Sequence, residues 1–400
     1  MAAPGIRDSV NGTVALVCSR QREVVRRAES HRDASCLPVA PTGGTGVAPL
    51  TRFIVQRVFN VHVKLKPIDQ QIIVITGSSS GIGRATALEA AKRGARVVCV
   101  ARNETALQEV VREIRDTGGD AIYALADVAV PAELDEVARL AVSAYGGFDT
   151  WVNDAGVGLY GRLDEIPLEE KRRLFDVTFW GVVYGARSAL RQLRLRGGGA
   201  IINVGSVESD VALPLTGIYA AAKHAVKAYT DVLRMELEHD DVPVSVSLIK
   251  PAGIDTPFFK HARSHMGVEP KPAPPVYAPQ VVANAILHAA EHPTRELFVG
   301  GGGKVMSAMR HGSTALSEKF MEATQFEGQK TDRPESRYAD ILYDAPDDAG
   351  SVEGDYDGHV AHSSLYTSAR IHPVLSTAML AGVGLAVAAG VRKLNAWRAD

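Results

Sequence analysis

The stretch Gln71-Ile-Ile-Val-Ile-Thr-Gly-Ser-Ser-Ser-Gly-Ile-Gly83 decides the fold. Its β-branched residues predict a buried strand, its glycines predict a tight turn, and the helical pattern Ile82–Arg93 follows. Gly77, Gly81 and Gly83 allow the backbone to approach a pyrophosphate, and a helix N-terminus offers free N–H groups and a positive dipole end. A glycine turn between a strand and a helix is typical of a dinucleotide site, and a purely structural turn is the alternative.

Outward from this turn, short β-branched segments alternate with longer helical patterns to about residue 300. This alternation predicts a doubly wound, Rossmann-like α/β fold, in which helices cover both faces of a parallel sheet. The predicted strands are Gln71–Thr76, Arg96–Ala101, Ala121–Leu125, Thr150–Asn153, Ala200–Val204, Val244–Ile249 and Glu296–Val299. The predicted helices include Ile82–Arg93, Thr105–Thr117, Ala132–Tyr145, Glu169–Arg196 and Gly217–His239.

The bulk properties narrow the class of protein. The 400 residues carry a formal net charge of -2, which excludes a global attraction to nucleic acid. The hydrophobic and charged fractions, 46% and 22%, are ordinary for a globular protein. The three cysteines are scattered, so they predict neither a disulfide framework nor a metal site, and they favour a reducing, cytoplasmic location.

The end of the second predicted strand bears on cofactor choice. A carboxylate at this place accepts hydrogen bonds from the ribose 2′-OH of NAD, and it would repel the 2′-phosphate of NADP. This chain has Ala101 followed by Arg102, and an arginine can pair with the phosphate. The pair therefore favours NADP(H) over NAD(H). The alternative is that Arg102 is a solvated loop residue.

Tyr219 and Lys223 are four residues apart in a predicted helix, so they share one face. A tyrosine hydroxyl keeps its proton up to a pKa of about 10. A nearby ammonium group and an oxidised nicotinamide ring lower that pKa. Tyr219 could then give a proton to a carbonyl oxygen, or remove one from an alcohol, while Ser206 at a strand end polarises the same oxygen. An exposed helical pair is the alternative.

The glycine turn, Asn153-Asp-Ala-Gly156, Ser206 and Tyr219-Ala-Ala-Ala-Lys223 occur in this order. Together they resemble the short-chain dehydrogenase/reductase family over about residues 68–300. The resemblance implies an enzyme that interconverts an alcohol and a ketone or aldehyde with NADP(H), acting on CH–OH donors. It also implies that Ser206, Tyr219 and Lys223 are catalytic.

The resemblance implies roles for further residues. Asp127 matches the family residue near the adenine, and Ile254 and Thr256 match the segment that meets the nicotinamide carboxamide. The full predicted cofactor-binding set is Gly77, Ser79, Ser80, Gly81, Ile82, Gly83, Arg102, Asp127, Val128, Asn153, Ala155, Gly156, Tyr219, Lys223, Pro251, Gly253, Ile254 and Thr256.

Thr178 is the main departure from the family pattern, and we include it among the catalytic residues. Family members usually have an Asn here, which holds a water of the proton relay beside the lysine. A threonine hydroxyl can also bind water, with a shorter reach and no amide. We expect activity to survive with a changed relay. Asp154 replaces a common second Asn, and Ala252 stands where a Gly often follows Pro251.

No motif names the substrate, which we expect to be a small molecule. The predicted lid, about residues 257–278, contains Phe258, Phe259 and Tyr277, which hint at an apolar substrate. The resemblance implies a homodimer or homotetramer formed through the helices Glu169–Arg196 and Gly217–His239. Two other functions stay open on this fold. One is a non-catalytic NADP-binding regulator, and the other is epimerisation or dehydration of nucleotide sugars.

Two histidine pairs stand out in the sequence: the first has the spacing of a metal motif, and the second lies in the lid, where substrate contact is the alternative. No metal is expected. His288-Ala-Ala-Glu-His292 spells a string found in zinc peptidases, but Pro293 follows it. A surface helix end is the favoured interpretation. His261 and His265 are four residues apart in the lid, and we interpret them as a solvated pair.

The expected organisation is a single catalytic domain, residues 66–300, with extensions. Residues 1–65 are predicted to be disordered, and 1–62 to precede the natural start, with a transit peptide as the alternative. Residues 301–372 are predicted to be an irregular polar appendage. Val374–Val391 is an uncharged apolar run just within the ~17–25 residues that span a bilayer. Membrane association and a surface-lying or subunit-packing helix both stay open for it.

Overall fold

A seven-stranded parallel sheet forms the centre of the computed structural model, which describes residues 63–335, 340–346 and 348–372. The predictions for residues 1–62 and Val374–Val391 lie outside these ranges. From edge to edge the strands are β12 (Glu296–Val299), β7 (Val244–Pro251), β6 (Gly199–Val204), β4 (Thr150–Asn153), β1 (Ile72–Thr76), β2 (Arg96–Ala101) and β3 (Asp120–Leu125). The predicted doubly wound, Rossmann-like fold is confirmed.

The chain reverses the direction in which strands are added between β1 and β4. Because the crevice of such a sheet opens at this switch point, ligands bind at the carboxyl ends of these strands. The ends of β1, β4 and β6 are level, since Thr76 pairs with Asn153 and Asn153 pairs with Asn203. The Asn153 amide donates to Asn203 Oδ1 over 2.9 Å and ties two of these ends together.

Helices cover both faces of the sheet, and each face has its own apolar core. Buried residues such as Ala87, Val110 and Ile286 pack helices against one face, and Val137 and Ala189 do so on the other. The first face carries α1 (Gly81–Lys92), α2 (Glu104–Asp116) and α7 (Pro279–Glu291). The second carries α3 (Pro131–Tyr145), α5 (Gly181–Arg196) and α6 (Gly217–His239).

The single helix predicted over Glu169–Arg196 is in fact three pieces. Helix α4 (Leu168–Phe175) is followed by a π-helical turn, Asp176–Trp180, and then by α5. A π-turn inserts one residue into the helical repeat and often marks a functional position. Here it contains Thr178, whose side chain is buried.

The prediction of an irregular appendage over 301–372 is wrong for its first part. Residues 301–328 form α8 (Gly301–Gly312) and α9 (Thr314–Gly328). Met306, Met309 and Met321 pack there with Val211 and Leu213, so tertiary packing outweighs the poor helix propensity of the glycines. The chain ends its described course in α10 (Leu365–Ile371).

Short strands outside the seven-stranded sheet form three small sheets. They are β5 (Leu159–Tyr160) with β9 (Arg263–Ser264), β10 (Val268–Pro270) with β13 (Lys330–Pro334), and β8 (Gly253–Ile254), β11 (Val276–Tyr277) and β14 (Val360–Ala361) in one parallel group. Three-residue 3-10 turns cover Ile68–Gln70 and Val207–Ser209.

Across the described ranges, no helix combines the length and apolar character that a membrane crossing requires.

Candidate active site

The glycine turn after β1 needs glycine for two physical reasons. Gly77 and Gly81 have φ of 75° and 54°, in the left-handed region that side chains disfavour. A Cβ on Gly83 would lie 2.3 Å from the Gly77 carbonyl oxygen, so α1 could not pack as closely on the turn. A side chain at these positions would take up the space around the turn. The glycines therefore fit a site at which the backbone closely approaches a phosphate.

A cleft of about 240 Å³ runs from this turn along the carboxyl edge of the sheet. Of the predicted site residues, all but Gly83, Asn153 and Thr178 line it. Gly83 packs on Gly77, and Asn153 supports the strands through Asn203. The residues brought to the cleft are Gly77, Ser79, Ser80, Gly81, Ile82, Arg102, Asp127, Val128, Ala155, Gly156, Ser206, Tyr219, Lys223, Pro251, Gly253, Ile254 and Thr256.

Ser206, Tyr219 and Lys223 meet at one part of this cleft. Burial raises the pKa of Tyr219, and the Glu208 charge raises it further, while a hydrogen bond with Ser206 lowers it. The expectation that Lys223 lowers this pKa is therefore not met in the protein alone. The Lys223 ammonium instead lies 5.6 Å from the centre of the Tyr219 ring and donates to the Val204 carbonyl over 2.8 Å.

The buried Lys223 and the half-buried Asp154 carry opposite charges, and each acts on the pKa of the other. Burial lowers the pKa of Lys223 to about 8, against the opposing charges of Asp154 and Glu208. Burial raises the pKa of Asp154 to about 7, against the Lys223 charge and a hydrogen bond from the Gly83 backbone. Asp154 thus accepts a hydrogen bond from the glycine turn and lies within electrostatic range of Lys223. The sequence showed it only as a departure from the family pattern.

Thr178 lies beneath this group. Its Oγ1 is buried and has no hydrogen-bond partner among the described residues. A Cβ placed on Gly156 would be 3.9 Å from both Thr178 Oγ1 and Lys223 Nζ. The Thr178 hydroxyl and the Lys223 ammonium group therefore both face the space beside Gly156. The hydroxyl can still make a hydrogen bond there.

A segment that the sequence did not connect with the site crosses the cleft. We call residues 340–346 and 348–356 the strap. Arg102 Nη2 donates to the Ile341 carbonyl over 2.5 Å, and its Nη1 donates to the Tyr343 carbonyl over 2.6 Å. The neighbouring Asn103 amide donates to the carbonyls of Pro346 and Asp348 over 2.7 and 2.8 Å.

The strap is also fixed to the outside of the glycine turn. The Gly81 N–H donates to the Ser351 carbonyl over 2.8 Å. Arg84 donates to the carbonyls of Ala349 and Gly350 over 2.8 and 3.0 Å. Gly350, at φ 68°, lies so close that a Cβ there would be 2.2 Å from the Ser79 carbonyl oxygen. Strap residues Ile341, Ala345 and Pro346 line the cleft, so open space remains beneath them.

The wall next to Ser206 is mixed in polarity. Phe258 and Phe259 line it, as the predicted lid required, whereas Tyr277 does not and instead packs beside Gly300. Leu213 and Val157 add apolar surface. The polar members, which the sequence did not reveal, are Tyr160, Glu208, Lys271 and Gln329.

The histidines take structural positions. His288 and His292 stack at the end of α7, with ring centres 4.5 Å apart, so the predicted helix end is confirmed. His261 and His265 are not a solvated pair, because carboxylates from other segments reach them. His265 lies 2.7 Å from Glu170, and the buried His261 lies 3.4 Å from Asp348. Within the described part of the chain, no group of three His, Cys, Asp or Glu could hold a metal.

Comparisons with known proteins agree with this geometry. A family model described as short chain dehydrogenase matches residues 71–267. The oxidoreductase YxnA of Bacillus subtilis is 42% identical over 325 residues, which are 80% of this chain and 91% of that protein.

Two solved structures share the fold. A short-chain dehydrogenase/reductase of Burkholderia phymatum in complex with NAD has a TM-score of 0.58 at 26% identity, covering 63% of this chain and 96% of that one. L-Sorbose reductase of Gluconobacter frateurii, complexed with NADPH and L-sorbose, has a TM-score of 0.51 at 27% identity, covering 60% and 97%.

Proposed function

The chain belongs to the short-chain dehydrogenase/reductase family and is an oxidoreductase, and on this premise we propose that it interconverts an alcohol and a ketone or aldehyde with NADP(H). Residues 66–300 would form its catalytic domain. The observation that carries the proposal is the convergence of Ser206, Tyr219 and Lys223 on a cleft that begins at the glycine turn.

The residues of the cleft can divide the work. The glycine turn would hold the pyrophosphate, Asp127 and Val128 the adenine, and Ile254 and Thr256 the carboxamide end. A bound nicotinamide cofactor supplies or accepts the hydride. Tyr219 would give its proton to the carbonyl oxygen, or remove it from the alcohol, while the Ser206 hydroxyl holds that oxygen.

Lys223 and Thr178 would support the proton transfer. In the protein alone, burial and the Glu208 charge raise the pKa of Tyr219. With the oxidised cofactor bound, a cationic Lys223 would help to stabilise the phenolate form of Tyr219. The free Thr178 hydroxyl would hold a water beside the lysine, in place of the amide that relatives usually have.

Arg102 supports the choice of NADP(H). It directly follows Ala101, which stands at the end of β2 where a carboxylate would select NAD, and it lines the cleft. Its guanidinium group already donates to two strap carbonyls, so a 2′-phosphate would have to share or replace these bonds. A phosphate is a charged acceptor and makes a stronger hydrogen bond than a carbonyl does.

We further propose that the strap covers the adenosine half of the bound cofactor. Strap residues and the glycine turn line one continuous cleft, which supports a ligand lying between them. The strap would then slow cofactor release. A strap that competes with the cofactor would instead weaken its binding, and this alternative gives the opposite result on detachment.

The proposed reaction is tested by following NADPH oxidation with a panel of aldehydes and ketones. We expect Tyr219→Phe to lower kcat by about 100- to 10,000-fold, the range for loss of a general acid. Tyr184→Phe, at a tyrosine of α5 that does not line the cleft, is the matched control and should keep its activity. Full activity of Tyr219→Phe would reject the assigned role. Tight NADPH binding without turnover of any carbonyl would favour the non-catalytic regulator.

We also propose a homodimer or homotetramer built through α5 and α6. Trp180, Val232 and Met235 leave 42%, 47% and 56% of their surface exposed on and beside these helices. Apolar side chains of this size are enriched where subunits meet. Sedimentation of the wild type and Met235→Lys tests this, because a charge in the interface should shift the protein towards monomer.

A further inference from the structure

Glu208 is a buried acid that lies directly beside the catalytic serine. It belongs to the 3-10 turn that follows Ser206, and its own N–H donates to Ser206 Oγ over 3.0 Å. Its Oε2 accepts from Thr216 Oγ1 over 2.6 Å. No other described residue donates to the Glu208 carboxyl group, so its second oxygen is available on the side that lines the cleft.

Asp210, two residues further on, shows what a structural acid looks like in this same loop. It lies within ion-pair distance of Lys227 and Lys250, and it accepts from Ser307 over 3.2 Å. These contacts join the loop to α6, β7 and α8. Glu208 has only one hydroxyl partner, and the nearby Lys223 donates instead to the Val204 carbonyl. Glu208 therefore does not hold elements of the fold together as Asp210 does.

A carboxyl group buried without a cation costs stability, unless it is neutral and hydrogen-bonded. Burial raises the pKa of Glu208 to about 8, with the Thr216 hydrogen bond and the Lys223 charge opposing the rise. At neutral pH it is then mostly a neutral acid, which has one O–H to donate as well as oxygens that accept. Such a group matches a neutral hydroxyl, which also both donates and accepts.

Glu208 lines the same cleft as Ser206 and Tyr219, the residues proposed to meet the substrate oxygen. Ser206, which the Glu208 N–H contacts, is the residue that would hold the substrate oxygen. Tyr160 and Tyr219 are close enough for the Glu208 charge to raise the pKa of both hydroxyl groups. A substrate whose carbonyl oxygen meets Ser206 and Tyr219 therefore presents its next carbon atoms to Glu208.

We propose that Glu208 binds a hydroxyl group on the carbon next to the reacting carbonyl, so that the substrates are α-hydroxy ketones and the vicinal diols they form. This inference rests on the proposed function and names its substrate class. It differs from the expectation of an apolar substrate that the lid phenylalanines suggested. Phe258 and Phe259 would then face the carbon skeleton, and Glu208 the polar substituent.

Hydroxyacetone and 2-butanone test the proposal, because they differ by a hydroxyl in place of a methyl group of similar size. For the wild type we expect kcat/KM to be about 100-fold higher with hydroxyacetone, since a site that hydrogen-bonds a hydroxyl rejects the analogue without it. In Glu208→Leu this ratio should fall to near 1. Glu208→Gln keeps hydrogen bonding and should retain most of the ratio.

A second variant removes the orienting contact and leaves the carboxyl group in place. In Thr216→Val we expect the ratio to fall by about 10-fold, less than in Glu208→Leu, because the carboxyl group loses its fixed position but not its chemistry. The Kd for NADPH in each variant shows whether the protein still folds around its cofactor.

Three outcomes would overturn the inference. The first is an equal ratio in the wild type and in Glu208→Leu. The second is that the wild type reduces 2-butanone and cyclohexanone but not hydroxyacetone. Both the first and the second outcome leave the proposed function standing. In the third, the protein binds NADPH and reduces no carbonyl compound, and the proposed function fails together with the inference.

Discussion

Two parts of the cleft lining are built by different chemistry. We call the lining from residues 77–256 the floor, and the strap is the second part. The floor depends on residue type: glycines where a Cβ would clash, and Tyr219 and Lys223 on one helix face. The strap is held by backbone carbonyls that accept from Gly81, Arg84, Arg102 and Asn103. The floor needs particular residue types, so it leaves a recognisable pattern in the sequence. The strap is attached through its backbone carbonyls, which every residue has, so it leaves no such pattern.

The largest effect is expected from a side chain added to the floor. In Gly83→Ala the new Cβ would lie 2.3 Å from the Gly77 carbonyl oxygen and 2.9 Å from Asp154 Oδ2. Backbone must move, and displacements of about 1 Å at such a site can cost about 100-fold. We expect the Kd for NADPH to rise by at least that factor in a fluorescence titration. Gly328→Ala, where the Cβ meets nothing within 4 Å, is the control. Unchanged NADPH binding in Gly83→Ala would remove the glycine turn from the site.

Glu208, which belongs to the floor, should make the free energy of unfolding depend on pH. Burial raises the pKa of Glu208 from 4.5 to about 8, so the folded protein binds more protons than the unfolded chain between these values. Stability must then fall as pH rises through this window. Glu208→Gln does not titrate. Its free energy of unfolding relative to wild type should therefore improve by about 2 kcal/mol between pH 6 and pH 8. Denaturant unfolding at both pH values measures this, and a difference that does not change with pH would contradict the burial of an uncompensated acid.

A smaller effect is expected when the strap is detached from the turn. Gly350→Ala places a Cβ 2.2 Å from the Ser79 carbonyl oxygen at a φ of 68°, so the strap cannot keep its position. If it covers the cofactor, NADPH should dissociate about 10-fold faster in a stopped-flow displacement experiment, because affinity changes appear mostly in the dissociation rate. Gly312→Ala, which meets nothing within 4 Å, should behave as wild type. Tighter binding in Gly350→Ala would show that the strap competes with the cofactor.

The smallest effect belongs to the solvent-exposed side of the strap. Asp355 and Arg333 form an ion pair at 2.8 Å, with side chains 53% and 42% exposed. Exposed pairs contribute about 0.2 to 1 kcal/mol, so Asp355→Ala should change the melting temperature and the NADPH affinity very little. A large loss of affinity in this variant would mean that the strap is held by its exposed charges and not by its buried carbonyls.

The sequence was most informative where burial and local chemistry agree. Arg96–Ala101, Thr150–Asn153 and Glu296–Val299 were predicted to the residue, because strands covered on both faces are continuous apolar runs. The prediction of a helix over Gly217–His239 matches the structure equally well. The sequence also predicts that the glycine turn, Ser206, Tyr219 and Lys223 share one cleft, because their order and spacing are themselves the signal.

What the sequence could not show depends on distant contacts. The π-turn around Thr178 differs from a helix by one inserted residue, which no local pattern marks. Residues 301–328 are helical because they pack on Val211 and Leu213. Glu208 could not be distinguished from Asp210 in the sequence. Only the structure shows that Asp210 has cation partners, whereas Glu208 lies on the cleft with a single hydroxyl partner among the described residues.

Titration of NADPH and NADH tests most directly whether this cleft holds a dinucleotide whose phosphate end meets Arg102. It should be made on the wild type, Arg102→Ala and Arg84→Ala. Both arginines anchor the strap, but only Arg102 is assigned to the 2′-phosphate, so Arg84→Ala separates a loosened strap from a lost phosphate partner. We predict that wild type binds NADPH much more tightly than NADH, that Arg102→Ala loses this preference, and that Arg84→Ala weakens both cofactors equally. Binding of neither cofactor by the wild type would contradict the account.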